Sequence, residues 1–268
     1  MGERRTRRIA VANEKGGVGK TATVVNLAAA LALEDRSVLV VDMDPQHNST
    51  LGLGVSDEDV GVSVYDLIQS PGAIRAADAI RPTRWKGLEL LPAVTDLAGA
   101  EVELVEVAGR ENRLMEALSG IDGNYDFILL DTPPSLSLLT VNVFAFADEV
   151  LVPCQTQPYA YRALAELFDT VDLVSQAINP QLEVTGVVAT FFDRRTRVSQ
   201  NILDRLSSDG QYGPLLFKTV IRANTTIAES ADAGRPVVHF RRGSFGASDY
   251  RQLADELIEK VPGRATTD

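Results

Sequence analysis

Apolar residues follow two rhythms along the chain. Short, nearly unbroken runs have the length and β-branching of strands buried on both faces: Ile9-Ala10-Val11-Ala12, Val38-Leu39-Val40-Val41, Leu88-Glu89-Leu90-Leu91, Phe127-Ile128-Leu129-Leu130, Val150-Leu151-Val152 and residues 184–190. Phe217-Lys218-Thr219-Val220-Ile221 reads as a late strand, giving about seven in all. Between them apolar residues recur every three or four positions. Residues 23–34 carry Val24, Leu27, Ala28 and Leu31 on one stripe, and a later segment carries Leu164, Leu167, Phe168 and Val171. Further helices are expected around Val198, Ile202, Leu203 and Leu206, and over 250–260 with Leu253, Ala254, Leu257 and Ile258 inward. Residues 64–68 predict a short helix, and 106–118 a charged one whose Arg110, Glu111 and Arg113 face solvent. Strands separated by helices predict an α/β fold, a doubly wound, mostly parallel sheet flanked by helices on both faces. The expected organisation is a basic arm over 1–8, a single domain over 9–260 and a short tail over 261–268.

The first strand runs directly into Asn13-Glu14-Lys15-Gly16-Gly17-Val18-Gly19-Lys20-Thr21. Strand, glycine-rich turn and helix start is the order a phosphate-binding loop needs. The glycines let the backbone turn tightly and aim N–H groups at an anion, and the helix adds the positive end of its dipole. Lys20 can reach terminal phosphates, and the Thr21 hydroxyl can hold a magnesium ion that bridges them. The candidate cofactor contacts are Gly16, Gly17, Val18, Gly19, Lys20, Thr21 and Thr23. A bare glycine-rich turn would not explain Lys-Thr after the last glycine.

Two strands end on acids. The second leads into Asp42-Met43-Asp44-Pro45-Gln46, and the run 127–130 ends at Asp131, followed by Thr132-Pro133-Pro134. A carboxylate at such a strand end, beside a phosphate loop, is placed to handle magnesium or water. Thr21, Asp42 and Asp131 are therefore the candidate metal residues.

The loop departs from the ordinary phosphate-loop signature: Glu14 stands where a glycine is usual, with Lys15 beside it. Read alone, Lys15 is either functional or a solvated surface charge. The arrangement resembles the deviant Walker A loop of the ParA/MinD superfamily, and the whole chain from Ile9 to about Leu257 resembles its ParA/Soj branch of P-loop ATPases. The resemblance implies ATP and Mg2+ as cofactors and an ATP-bound sandwich homodimer. Lys15 would reach the partner's phosphates, and Lys15, Lys20 and Asp44 would be catalytic, Asp44 activating the hydrolytic water. Asp42 would lie nearer the magnesium shell, with Asp131 as the Walker B acid. His47 stands where the family often has glycine, and Gln157 where many relatives have glutamate. Relatives commonly carry Ile-Pro-Arg-Asn where this chain has Ile221-Arg222-Ala223-Asn224, and residues 229–236 resemble a segment that supplies adenine and ribose contacts; Arg222 joins the candidate nucleotide contacts.

Composition narrows the partners. The chain has 268 residues, 45% of them hydrophobic, and a formal net charge of -11. A single cysteine, Cys154, excludes a disulfide framework and an iron–sulfur ligand set, and fits a cytoplasmic setting. No run is long enough for a membrane span, and residues 261–268 cannot form the amphipathic helix of a MinD-like membrane binder. Against the acidic total, the arginines of the last third stand out: Arg194, Arg195, Arg197, Arg222, Arg235, Arg241 and Arg242. With the resemblance they imply non-specific double-stranded DNA, hence nucleoid association, and a centromere-binding ParB-type partner that stimulates slow hydrolysis. Each could equally be a surface charge, Arg222 being the first choice for DNA. The arm's Arg4, Arg5, Arg7 and Arg8 form either a solvated tail or an added phosphate contact. A positioner of another cargo and a non-hydrolysing nucleotide-binding scaffold remain alternatives.

Overall fold

The computed structural model describes residues 6–121 and 123–260; Arg4, Arg5 and the tail 261–268 lie outside the described residues. Seven strands form one sheet: β1 (Arg7–Val11), β2 (Val38–Asp42), β3 (Arg81–Pro82), β4 (Leu88–Leu91), β5 (Phe127–Asp131), β6 (Glu149–Gln155) and β7 (Glu183–Thr190). Their order is β3-β4-β2-β5-β1-β6-β7, and every neighbouring pair is parallel except β3 with β4. The chain leaves β1 to build one half of the sheet and later returns to its other side with β6 and β7. The C-terminal end of β1 is therefore a topological switch point, where open α/β sheets bind ligands.

Alternate residues of the central strands feed two cores. Ala10, Leu39, Val41, Ile128, Leu130, Val150 and Val152 face a layer that includes helices Leu138–Phe146 and Ala160–Ala177. Ile9, Val11, Val38, Val40, Leu129 and Leu151 face helices Lys20–Leu33 and Phe245–Glu259. Both faces are covered, so the strands read as continuous apolar runs. The predicted stripes hold. Val24, Leu27, Ala28 and Leu31 are buried, as are Leu164, Leu167, Phe168, Val171, Leu253, Ala254 and Leu257. In helix Arg197–Ser208, Leu206 is buried and Val198 is exposed.

Three expectations change. The arm ends sooner: Arg7 and Arg8 belong to β1, Arg7 gripping Glu149 through two bonds of 2.7 and 2.6 Å, and Arg8 gripping Asp148 at 2.9 and 2.7 Å. The helix over 106–118 breaks at Gly109 into a 3-10 turn, Arg110–Asn112, and a short helix, Arg113–Ala117. Arg113 is not simply solvated, because its Nε donates 2.8 Å to the Ile68 carbonyl. The late strand is not a regular strand. Phe217 and Ile221 each donate 2.8 Å to β7 carbonyls, but between them Glu256 takes the amides of Lys218 and Thr219 at 2.7 and 2.9 Å. Those amides are drawn toward the C-terminal helix instead of a strand ladder.

Phe217 packs so closely on β7 that a Cβ added at Gly186 would lie 2.3 Å from its ring and 2.9 Å from the Leu215 carbonyl oxygen. The carbonyl belongs to backbone and yields poorly. Gly186→Ala is expected to destabilise the protein by about 1–3 kcal/mol. Urea unfolding should show a lower midpoint with an unchanged slope; an unshifted midpoint would refute this packing.

Candidate functional site

The loops at the C-terminal ends of β1, β2, β5 and β6 meet beside the start of helix Lys20–Leu33. Gly17 and Gly19 have φ of 74° and 92°, conformations that suit glycine. Gly19 precedes the helix, and its carbonyl accepts the Thr23 amide at 2.8 Å. The loop is fixed from outside itself: Asn13 donates to the Pro153 carbonyl at 2.9 Å and accepts the Lys15 amide at 2.9 Å, while Thr190 donates to the Val18 carbonyl at 2.8 Å. Gly16 and Gly17 are exposed at the loop's surface, and Val18 is buried beneath it. Glu14, in the place of the usual glycine, accepts from the Thr170 hydroxyl at 3.0 Å. Lys15 reaches Gln155 with its Nζ at 3.5 Å.

Below the loop lie three acids. Asp42 and Asp131 are paired across β2 and β5, both fully buried, and Asp44 is 7% exposed. Burial, then the charge of Asp42, pushes the Asp131 carboxyl above its ordinary pKa; burial raises Asp42 as well, against bonds from Thr50. Lys20 is buried beside them. Desolvation lowers its pKa, and the charges of Asp131 and Asp44 oppose that fall. Asp131 Oδ2 accepts from Ser49 at 2.8 Å, while its Oδ1 is buried with no hydrogen-bond partner. Thr21 lies close enough for its hydroxyl to favour the ionised Asp131. An orphaned carboxylate oxygen beside a threonine hydroxyl and a lysine fits a magnesium–phosphate site.

The structure separates the other candidates. Asp42 uses both oxygens internally: Oδ2 accepts from the Thr50 amide and hydroxyl, each at 2.8 Å, and Oδ1 from the Asp44 amide at 3.2 Å. It shapes the Asp44 loop, whereas Asp131 keeps the unbonded oxygen. Thr23 is fully buried beside Tyr250 of the C-terminal helix, so it belongs to helix packing and not to the loop surface. Ser49 and Thr50 were not anticipated. Their only sequence signal is a pair of hydroxyls one turn after Asp44-Pro45-Gln46.

Arg222 is partly committed within the fold. Its guanidinium holds buried Asp249 through Nε at 3.0 Å and through Nη2, and lies 4.2 Å from the Phe245 ring centre. Asn224 caps helix Thr225–Asp232, and counting back from it the arginine of Ile-Pro-Arg-Asn falls on Ala223. The remaining arginines form two groups. Arg194, Arg195 and Arg197 are exposed around the start of helix Arg197–Ser208, Arg195 holding the Asp193 carboxyl down to about 2 by hydrogen bonding. Arg235 and Arg242 lie near His239, and Arg241 pairs with Glu229 at 3.7 Å. Arg235 also lines a cleft of about 860 Å³ that runs from Thr21 and Ala22 past Asn48 to 230–235.

Comparison with known proteins agrees with this geometry. A family of AAA domains matches residues 6–184. The sporulation initiation inhibitor protein Soj of Bacillus subtilis is 41% identical over 249 residues, covering 93% of this chain and 97% of its own. The chromosome partitioning protein ParA of Myxococcus xanthus is 39% identical over 252 residues, covering 94% and 88%. Among solved structures, one described as cobyrinic acid a,c-diamide synthase from Mycobacterium smegmatis, with bound ADP and magnesium, superposes with a TM-score of 0.83 at 37% identity, covering 97% of both chains. With relatives this similar over nearly the whole length, the chain belongs to the ParA/Soj family of P-loop ATPases.

Proposed function

We propose that the chain is a partitioning ATPase: it binds ATP with magnesium, dimerises around the nucleotide, holds non-specific DNA in that state, and is released when a ParB-type partner stimulates hydrolysis. The observation that carries the reading is the convergence of Lys20, Thr21 and Asp131 under the glycine loop, with Asp131 Oδ1 buried and unbonded. The ADP and magnesium in the Mycobacterium smegmatis structure support the nucleotide.

In this reading Thr21 and Asp131 hold the magnesium, which supplies charge neutralisation to the phosphates when bound. Loop N–H groups and Lys20 stabilise the charge that develops on the transferring phosphoryl group. Asp44, held in a turn by its Oδ1 bond from the Gln46 amide at 2.9 Å, orients the attacking water. Lys15, near the loop surface, is the residue offered to a second copy of the chain. Residues 230–235, within the segment 229–236, border the 860 Å³ cleft that reaches Ala22, which supports that segment's expected part in nucleoside binding. DNA is assigned to Arg194, Arg195 and Arg197, with Arg235, Arg241 and Arg242 as a second group and Arg222, held on one side by Asp249, as a lesser contact. No helix among the described residues is long and apolar enough to cross a membrane.

Two measurements test the reading. Binding to unrelated duplex DNA should occur with ATP but not ADP and should weaken steeply as salt rises. Changing Arg194, Arg195 and Arg197 together to glutamate should weaken that binding by about tenfold or more and lower the salt slope, leaving ATP binding intact. DNA binding indifferent to nucleotide would overturn the proposed switch.

The second concerns the buried acids. Their raised pKa values mean that the folded apo protein keeps protons the unfolded chain has lost. Stability should therefore fall as pH rises from about 4 to about 7 and then level off. Asp131→Asn should flatten that fall, stabilise the apo protein near neutrality by on the order of 1–3 kcal/mol, and abolish the stabilisation given by magnesium nucleotide. Urea unfolding at the two ends of the range, with and without magnesium ADP, measures all three.

A further inference from the structure

His47 stands three residues after Asp44, at φ 42° and ψ 33°, a left-handed conformation that costs a histidine energy a glycine would not spend. Its ring is nearly buried, with 11% of the side chain exposed. Nδ1 lies 3.2 Å from the Pro45 carbonyl oxygen, and Nε2 lies 3.0 Å from Asp57 Oδ1. A carbonyl and a carboxylate can only accept. Satisfying both bonds at once therefore takes a proton on each ring nitrogen. A cleft of about 320 Å³ beside it is lined by Asp57, Asp66, Asp96 and Tyr65, with the Arg81 guanidinium packed against Gly61 at its edge, so acids outnumber bases around the ring.

We propose that His47 is a positioning residue for Asp44, its doubly protonated ring stapling the turn 44–47 to Asp57. The proposal rests on the reading of Asp44 as the residue that orients water for hydrolysis. Two bonds make the turn a unit with the Asp44 carboxylate: the Gln46 amide donates to Asp44 Oδ1 at 2.9 Å, and the His47 amide to the Asp44 carbonyl at 2.8 Å. On its inner side the following residues are tied down, Ser49 to Asp131 and Thr50 to Asp42. On its outer side the ring of His47 reaches across to the separate segment Asp57–Asp59. Loss of one ring proton leaves only one of the two ring bonds, so the turn and Asp57 are no longer joined through Pro45. Lys20 and the glycine loop take no part in this staple, so its loss should slow the chemical step and spare ATP affinity.

The ring itself gives the first test. Nitrogen NMR of the full chain without nucleotide, at roughly pH 6, should show both His47 nitrogens protonated; one bare nitrogen would overturn the staple, whatever the protein's activity. Kinetics with ATP, magnesium and DNA give the second. His47→Asn, which tolerates the left-handed backbone, and Asp57→Asn should each lower kcat about tenfold or more while KM for ATP stays within about twofold. Wild-type kcat in both variants, or a loss confined to KM, would overturn the proposal. Absence of hydrolysis in the wild type would instead remove the proposed function and leave the ring spectrum to decide the staple.

Discussion

Two carboxylates sit side by side in the middle of a parallel sheet, and much of the site follows from how the protein tolerates them. Asp42 and Asp131 end adjacent strands in register, fully buried. Isolated burial of one charge is costly, and a second like charge beside it adds to the cost. The fold answers unequally. Asp42 is wrapped by Thr50 and the Asp44 amide, while Asp131 keeps one oxygen bare. The first becomes scaffolding, and the second retains the capacity to bind a cation. Lys20, itself desolvated, supplies a fixed positive charge beside Asp131 and Asp44. An arrangement of this kind is stable without ligand only at some expense, and a divalent cation carrying phosphates relieves it.

The same economy appears in the loop between the acids and the surface. Asp44 lies in a turn whose following residues are tied inward, Ser49 to Asp131 and Thr50 to Asp42, while His47 faces Asp57 on its outer side. The glycine loop is likewise fixed at its base, through Asn13, Thr190 and Glu14, while its glycines stay at the surface. Rigid roots with exposed tips suit a site that another copy of the chain completes.

Much of this was legible from the chain itself. The buried strands announce themselves because each lies between two helical layers, which removes the polar alternation of a half-exposed strand. The phosphate loop is legible because glycine, lysine and threonine serve there for reasons no ordinary turn shares. What escaped notice depends on partners distant in sequence. Residues 217–221 have strand composition, yet Glu256 captures their middle amides from the last helix. Arg222 looked like a free cation until Asp249, 27 positions on, was seen to hold it. The two-residue β3 is too short to leave a pattern. Ser49 and Thr50 are ordinary polar residues whose meaning comes only from the acids they touch.

One contact joins the beginning of the domain to its end. Arg7 of the first strand donates both to Glu149 and, at 2.7 Å, to the carbonyl of Leu257 in the last helix. The strand that carries the phosphate loop is also central in the sheet, flanked by β5 and β6, which are made more than a hundred residues later. A growing chain on the ribosome thus holds its nucleotide loop long before it holds the neighbours that shape it. Assembly of the site must wait for distant partners, a demand that slows folding and leaves the early apolar strands exposed during synthesis. Completion of the last helix brings its end back beside the strand that carries the phosphate loop.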